Sequence, residues 1–241
     1  MGETMKTSFW LALLSMALLL TSEAAIATTS RYGLNFCADA NFKCIRIRGG
    51  QSWESLFPNE YQRQVVKRLN RMNIRLHNGM VIAVPQDLAN TDLLDISPFP
   101  SKIDPPGEKM IVVDPPSLAW GAYDSAGNLV HWGPISGGKS YCPDVQRNCR
   151  TVDGNFRIYH KKGADCISKK FPVGSGGAPM PYCMYFHGGF ALHASTTVPG
   201  YHASHGCVRI FAEDAQWLNQ DFVNLPGDEQ KGTAVIVNPY L

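Results

Sequence analysis

The chain lacks a hydrophobic run long enough to span a bilayer. Its longest apolar stretch, Phe9 to Leu20 with Ser15 as the one polar interruption, falls well short of the roughly 20 residues a transmembrane helix needs. This argues against a membrane-embedded protein. It also lacks a charge imbalance: 22 Lys and Arg face 20 Asp and Glu, a formal net charge of +2, too even for a nucleic-acid-binding surface. Charged residues make up 17% of the chain against 44% hydrophobic, which excludes a disordered or fibrous polypeptide. At 241 residues it has room for one large or two modest domains with a real core.

What is present begins with a leader. Lys6, the apolar run, and then Ser22-Glu23-Ala24-Ala25-Ile26-Ala27 with a small-x-small cleavage site read as a secretory signal peptide over residues 1 to 27. No cysteine follows the cut, which argues against a lipid anchor. Loss of Lys6, Glu3 and Glu23 leaves 21 basic and 18 acidic residues, a net charge of +3, compatible with a polyanionic envelope. The expected destination lies across the inner membrane, in the periplasm or cell envelope. All seven cysteines survive the cut. Seven is odd, so an exported chain of this kind is expected to hold three disulfides and one thiol. Proximity pairs Cys37 with Cys44, Cys142 with Cys149 and Cys166 with Cys183, one of 15 possible connectivities, and leaves Cys207 free.

Residues 28 to 86 form a first unit. Ile45-Arg46-Ile47-Arg48 alternates as a strand, Ser52 caps a short helix carrying Trp53 and Leu56, and Tyr61, Val65, Val66 and Leu69 recur at helical spacing. Asn78-Gly79 makes a turn before the apolar strand Met80-Val81-Ile82-Ala83-Val84. Residues 87 to 108 are rich in Asp and Pro and read as a stiff linker. Beyond them short apolar runs recur, with Asp124-Ser125-Ala126-Gly127-Asn128 as a hairpin turn, so residues 109 to 241 are expected to be mainly β. A helix is expected over residues 213 to 224, and a last strand at Thr233-Ala234-Val235-Ile236-Val237. Trp120 and Trp132 are expected in the core rather than as sugar platforms. The segment from Cys166 to Cys183, glycine-rich and disulfide-closed, is expected to wall a cleft.

The chemistry gathers between His193 and Arg209. Cys207 follows Gly206, Ser204 and His205 precede it, and His193 ends an apolar strand fourteen residues upstream. A cysteine thiol reacts as thiolate, and a thiol with pKa of about 8.5 needs a histidine or other cation beside it to ionise at neutral pH. Acyl transfer requires a nucleophile, a base and oxyanion donors. Cys207 is the nucleophile, and the amides around Gly206 and Cys207 are candidate donors. Either His193 or His205 is placed to act as base, since side chains two apart share a strand face. Tyr201 and His202, in the short segment between His193 and Ser204, are candidates for substrate contact. His187 either lines the cleft or is a loop histidine. As a competing set, His187, His193, His202, His205 and Cys207 suit zinc, but that use leaves the Ser-His-Gly-Cys order without a purpose.

Two resemblances follow from these residues. The strand-helix-helix-strand order over residues 44 to 86, with Gly50-Gln51-Ser52-Trp53, Leu69-Asn70 and Asn78-Gly79-Met80-Val81-Ile82-Ala83-Val84-Pro85, resembles a LysM module, which implies an α+β unit that binds peptidoglycan glycan. Its basic first strand and the lack of an initial Gly-Asp pair depart from the usual pattern. Leu192-His193 followed by Ser204-His205-Gly206-Cys207-Val208-Arg209 resembles the signature of YkuD-type L,D-transpeptidases in their ErfK-like branch. Thr151, Gly154 and Phe156 resemble an upstream Thr-Pro-x-Gly-x-Phe element, with Val152 in place of Pro. This resemblance implies a β-sandwich or barrel with a helix after the catalytic motif, and no metal or cofactor. It implies Cys207 as acyl-accepting nucleophile, His193 as base with the Ala194 carbonyl orienting its ring, His205 as supporting donor, and Arg209 as structural or substrate-carboxylate residue. The implied substrate is a peptidoglycan stem tetrapeptide that loses D-Ala, with an amine or a wall-anchored protein as acceptor, and carbapenem sensitivity is implied too. Resolution by water instead gives an L,D-carboxypeptidase, and a degenerate chain gives a non-catalytic wall-binding protein.

Overall fold

The computed structural model describes residues 31 to 170, 177 to 228 and 230 to 240. The proposed leader lies outside the described residues, as does Gly174-Ser175-Gly176 of the glycine-rich segment.

The first unit opens with a single 3-10 turn, Tyr32–Phe36, which the Cys37 to Cys44 disulfide fastens to strand β1, Phe42–Arg46. β1 pairs antiparallel with β2, Val81–Pro85, placing Cys44 opposite Ala83. Two helices lie between them. α1, Trp53–Leu56, starts at Ser52 because that hydroxyl accepts from the Ser55 amide while Ser55 Oγ accepts from the Ser52 amide, a reciprocal cap. α2, Glu60–Leu69, is capped by Asn59 and buries Val65, Val66 and Leu69 on one face. The helix stops at Asn70, whose side chain bonds the Val66 carbonyl and both backbone groups of Ala83, tying α2 to β2. The strand-helix-helix-strand order agrees with the pattern. β1 sits three residues earlier than alternation suggests, because Phe42 and Lys43 enter the ladder opposite Pro85 and Val84.

Residues 87 to 108 contain no helix or strand, yet they do not hang free. Ile96, Phe99 and Ile103 pack on Ala119, Tyr123, Leu129 and Trp132. Trp132 Nε1 donates to the Leu93 carbonyl at 2.6 Å and Tyr123 Oη to that of Pro100 at 2.9 Å. The stretch is a docked strap over one sheet face, and its order comes from this contact as well as from proline.

The remaining chain builds two sheets. One holds β3 (Met110–Asp114), β4 (Ala119–Tyr123), β5 (Leu129–Pro134), β6 (Gly154–Arg157) and β11 (Ala234–Val237), in the order β5-β4-β3-β11-β6. The other holds β7 (His160–Lys161), β8 (Met184–His187), β9 (Phe190–Ala194) and β10 (Val208–Ile210), in the order β10-β9-β8-β7. Ile111, Val113 and Trp120 of the first meet Met184, Leu192 and Val208 of the second in one core. Trp120 and Trp132 are both fully buried, as core residues. α3, Ala212–Trp217, follows β10 directly and runs into one π-helical turn, Leu218–Phe222, so the helix expected after the motif is present.

The first unit is joined to this sandwich through buried charge. Arg68 of α2 meets Asp214 of α3 at 2.6 Å, and His131 Nε2 lies 3.2 Å from the same carboxylate oxygen. Arg71 lies over the rings of Trp132 and Tyr32 and donates to the Ser117 carbonyl.

Candidate active site

β9 and β10 run parallel, with His193 in register with Arg209. Their crossover, residues 195 to 207, therefore brings Cys207 in level with Ala191, two residues before His193 and so on the same face of the sheet. Both residues line a cavity of about 790 Å³, together with Ala194, Ser204, His205 and Arg209. Its far wall includes Ser168, Met180 and Pro181, from the segment closed by the Cys166 to Cys183 disulfide, as expected for a cleft wall.

The turn before Cys207 demands glycine. Gly206 has φ +127°, and a Cβ there would lie 2.7 Å from the Phe190 ring. Ser204 stiffens the same turn, its hydroxyl donating to the Cys207 carbonyl and accepting from the Gly206 amide. Below it, Thr151 Oγ1 donates to the Gly206 carbonyl at 2.8 Å and accepts from Gly138. Gly138 is required too, since a Cβ would strike the Cys149 carbonyl at 1.7 Å. The Cys142 to Cys149 disulfide closes that supporting loop, and Cys207 is the free thiol.

His193 is buried, with Nδ1 2.9 Å from the Ala194 carbonyl. That carbonyl accepts the Nδ1 proton, leaving Nε2 as the basic nitrogen. Burial drives the imidazole down to about 4, against the help of the Ala194 carbonyl and with a further push from Arg209. Burial also pushes the Cys207 thiol up, partly opposed by a backbone hydrogen bond and by Arg209. The resting pair is therefore neutral thiol and neutral imidazole, not the ionised thiolate that histidine proximity alone suggests. The thiol donates to the Gly189 carbonyl at 3.6 Å.

His205 also faces the cavity, but its ring is committed elsewhere, with Nε2 2.7 Å from Asp144 Oδ2. The two candidate bases thus separate by partner. Arg209 lines the cavity and donates through Nη1 to Thr197, at 3.4 Å to its carbonyl and 3.3 Å to its hydroxyl. Three expected contacts fall outside this cavity. His187 sits at the exposed end of β8 against the Phe156 ring, and Tyr201 with His202 lines a separate cavity of about 460 Å³. Ser136 Oγ donates to the Tyr201 carbonyl at 2.8 Å. The Gly206 amide, expected as an oxyanion donor, is spent on Ser204. Asp144, Tyr185 and Thr197 escaped the sequence reading. Only Asp144 left a signal, a carboxylate inside a short disulfide-closed loop.

Among the described residues His187, His193, His202, His205 and Cys207 do not come together at ligand spacing. Among the described residues the one group with ligand spacing is Cys142, Asp144 and His205, within 4.8 Å, and the Cys142 sulfur is bonded to Cys149.

A thiol on a glycine turn and a carbonyl-oriented histidine lining one cavity at the edge of the four-stranded sheet define a cysteine-dependent acyl-transferring enzyme. The family model for the YkuD L,D-transpeptidase catalytic domain matches residues 108–237, more than half of the chain. The chain belongs to the YkuD family and is a cysteine-dependent L,D-transpeptidase, a class of enzyme that works on peptidoglycan. An L,D-transpeptidase from Xylanimonas cellulosilytica is similar in fold at 24% identity and a TM-score of 0.51, covering 73% of this chain and 78% of that one. One from Stackebrandtia nassauensis is 20% identical with a TM-score of 0.45, covering 75% and 67%. No curated protein sequence matches the chain.

Proposed function

We propose that the protein is exported and that Cys207 forms an acyl-enzyme with a peptidoglycan stem tetrapeptide, then passes the acyl group to an amine. The observation that carries this reading is the convergence of Cys207 and carbonyl-oriented His193 on one cavity. Substrate entry displaces water and aligns the thiol. Cys207 Sγ then bonds to the carbonyl carbon of the L-centre preceding the terminal D-Ala, and its proton passes to His193 Nε2. The Cys207 amide and His205, oriented by Asp144, face the developing oxyanion. Collapse breaks the C–N bond, His193 returns the proton to the leaving amine, and D-Ala departs. The amine of a second stem, or of a wall-anchored protein, attacks the thioester and frees the thiol. Arg209 supplies a cation for a substrate carboxylate.

Three disulfides support an oxidising compartment, and the leader-like residues 1 to 27 support export to the periplasm or cell envelope. Among the described residues no helix is long and apolar enough to cross a membrane. The capped helix pair between β1 and β2 supports a LysM-like role in glycan binding for residues 28 to 86.

The test is a transfer assay with purified stem tetrapeptide and D-methionine as acceptor, in water enriched in oxygen-18. Mass spectrometry is expected to find the exchanged peptide from the wild type and none from Cys207→Ala. Tripeptide carrying oxygen-18 as sole product would replace transfer with L,D-carboxypeptidase hydrolysis. No product at all would favour a non-catalytic wall-binding protein.

A further inference from the structure

The cavity wall next to His193 is held from the other unit. Residues 195 to 199 continue from β9, and Ser195 and Thr197 line the cavity while Thr197 anchors Arg209. One side chain spans this turn. Asn73 Nδ2 donates to the Ser195 carbonyl at 2.8 Å, and Asn73 Oδ1 accepts from the Val198 amide at 2.9 Å. The Asn73 amide adds a third bond, to the Val198 carbonyl at 3.0 Å. Met72 and Pro199 form a β-bridge alongside.

Asn73 is itself well placed to hold something still. Met72 is buried in the core of the first unit, and Arg71 is buried between two aromatic rings at φ +56°. The clamp therefore stands on a fixed base, and the turn it grips is short.

We infer that Asn73 is a positioning residue for transpeptidation: the N-terminal unit sets the 195 to 199 wall of the active-site cavity and, through Thr197, the direction of Arg209. This rests on the transpeptidase reading above. His193 lies on β9 and Cys207 on the glycine turn just before β10, held by Ser204 and Thr151 rather than by the clamp, so loss of the clamp falls on substrate engagement rather than on the chemical step. The group most affected is the substrate carboxylate that Arg209 faces.

The experiment compares wild type, Asn73→Ala and Asn59→Ala in the exchange assay, each with a melting curve and hydrogen exchange at the Val198 amide. Asn59→Ala removes the α2 cap far from the cavity and so reports a stability loss without touching the wall. Asn73→Ala is expected to raise KM for the stem peptide about tenfold with kcat within about twofold, the scale of one lost buried polar contact. It is also expected to speed Val198 exchange, while Asn59→Ala leaves KM and exchange as in the wild type. An active wild type with unchanged KM in Asn73→Ala overturns the inference, as does a parallel rise in both variants. An inactive wild type overturns the transpeptidase reading alone. Val198 exchange then decides the clamp, and unchanged protection in Asn73→Ala sinks it.

Discussion

Burial sets the chemistry of His193 and Cys207 before substrate arrives. The imidazole at about 4 stays neutral and basic through the physiological range, and the raised thiol keeps its proton until a carbonyl is in place. The same burial links the site to stability. The folded His193 value lies below its ordinary 6.5, so between pH 6.5 and about 4 the unfolded chain binds the extra proton. The stabilisation is complete above 6.5 and is lost as pH falls toward 4, to a total of roughly 3 kcal/mol. Urea melts at pH 7 and pH 4.5 should show the wild type losing about 2 kcal/mol more than His193→Gln. Equal losses would mean that His193 is not held neutral. Among single residues, the sequence exposed the nucleophile and both histidines because they share one short motif. Read from the residues alone the histidines stayed alternatives, and only the family resemblance set His193 as base, since Asp144 lies 61 residues from His205 and reaches it only through a disulfide-closed loop.

At the scale of elements, what was legible was local. The capped helices, the Asn78-Gly79 turn and the Asp124 to Asn128 hairpin turn each follow from residues that bond within a few positions. What was not legible is the long-range pairing: β11 inserts between β3 and β6, and β10 joins β9 in parallel, through partners no window reveals. Arg68 was equally hidden, since on α2 it reads as a solvent-facing charge. Its pair with Asp214 joins α2 to α3 with both groups buried. Removing one partner leaves the other charge uncompensated, so Arg68→Ala should cost about 3–5 kcal/mol in chemical denaturation. The double change Arg68→Met with Asp214→Leu should recover most of that loss. A single-variant cost below about 1 kcal/mol would show that His131 or solvent suffices for Asp214.

On the scale of the whole molecule, the sequence reading expected two units, export and one spare thiol; the structure leaves Cys207 free and brings the N-terminal unit against the active-site wall at Asn73. The strap over residues 87 to 108, the Arg68 to Asp214 pair, Arg71 against Trp132 and Ser117, and the Asn73 clamp all join the first unit to the sandwich. Sequence reading divides them because contact between units is made by scattered polar residues rather than by a motif. The central claim remains the acylation of one thiol in the intact protein. The most direct measurement is intact mass after incubation with a carbapenem, for wild type and Cys207→Ala. One covalent adduct is expected on the wild type and none on the variant. An unmodified wild type, or an adduct that persists without Cys207, would contradict it.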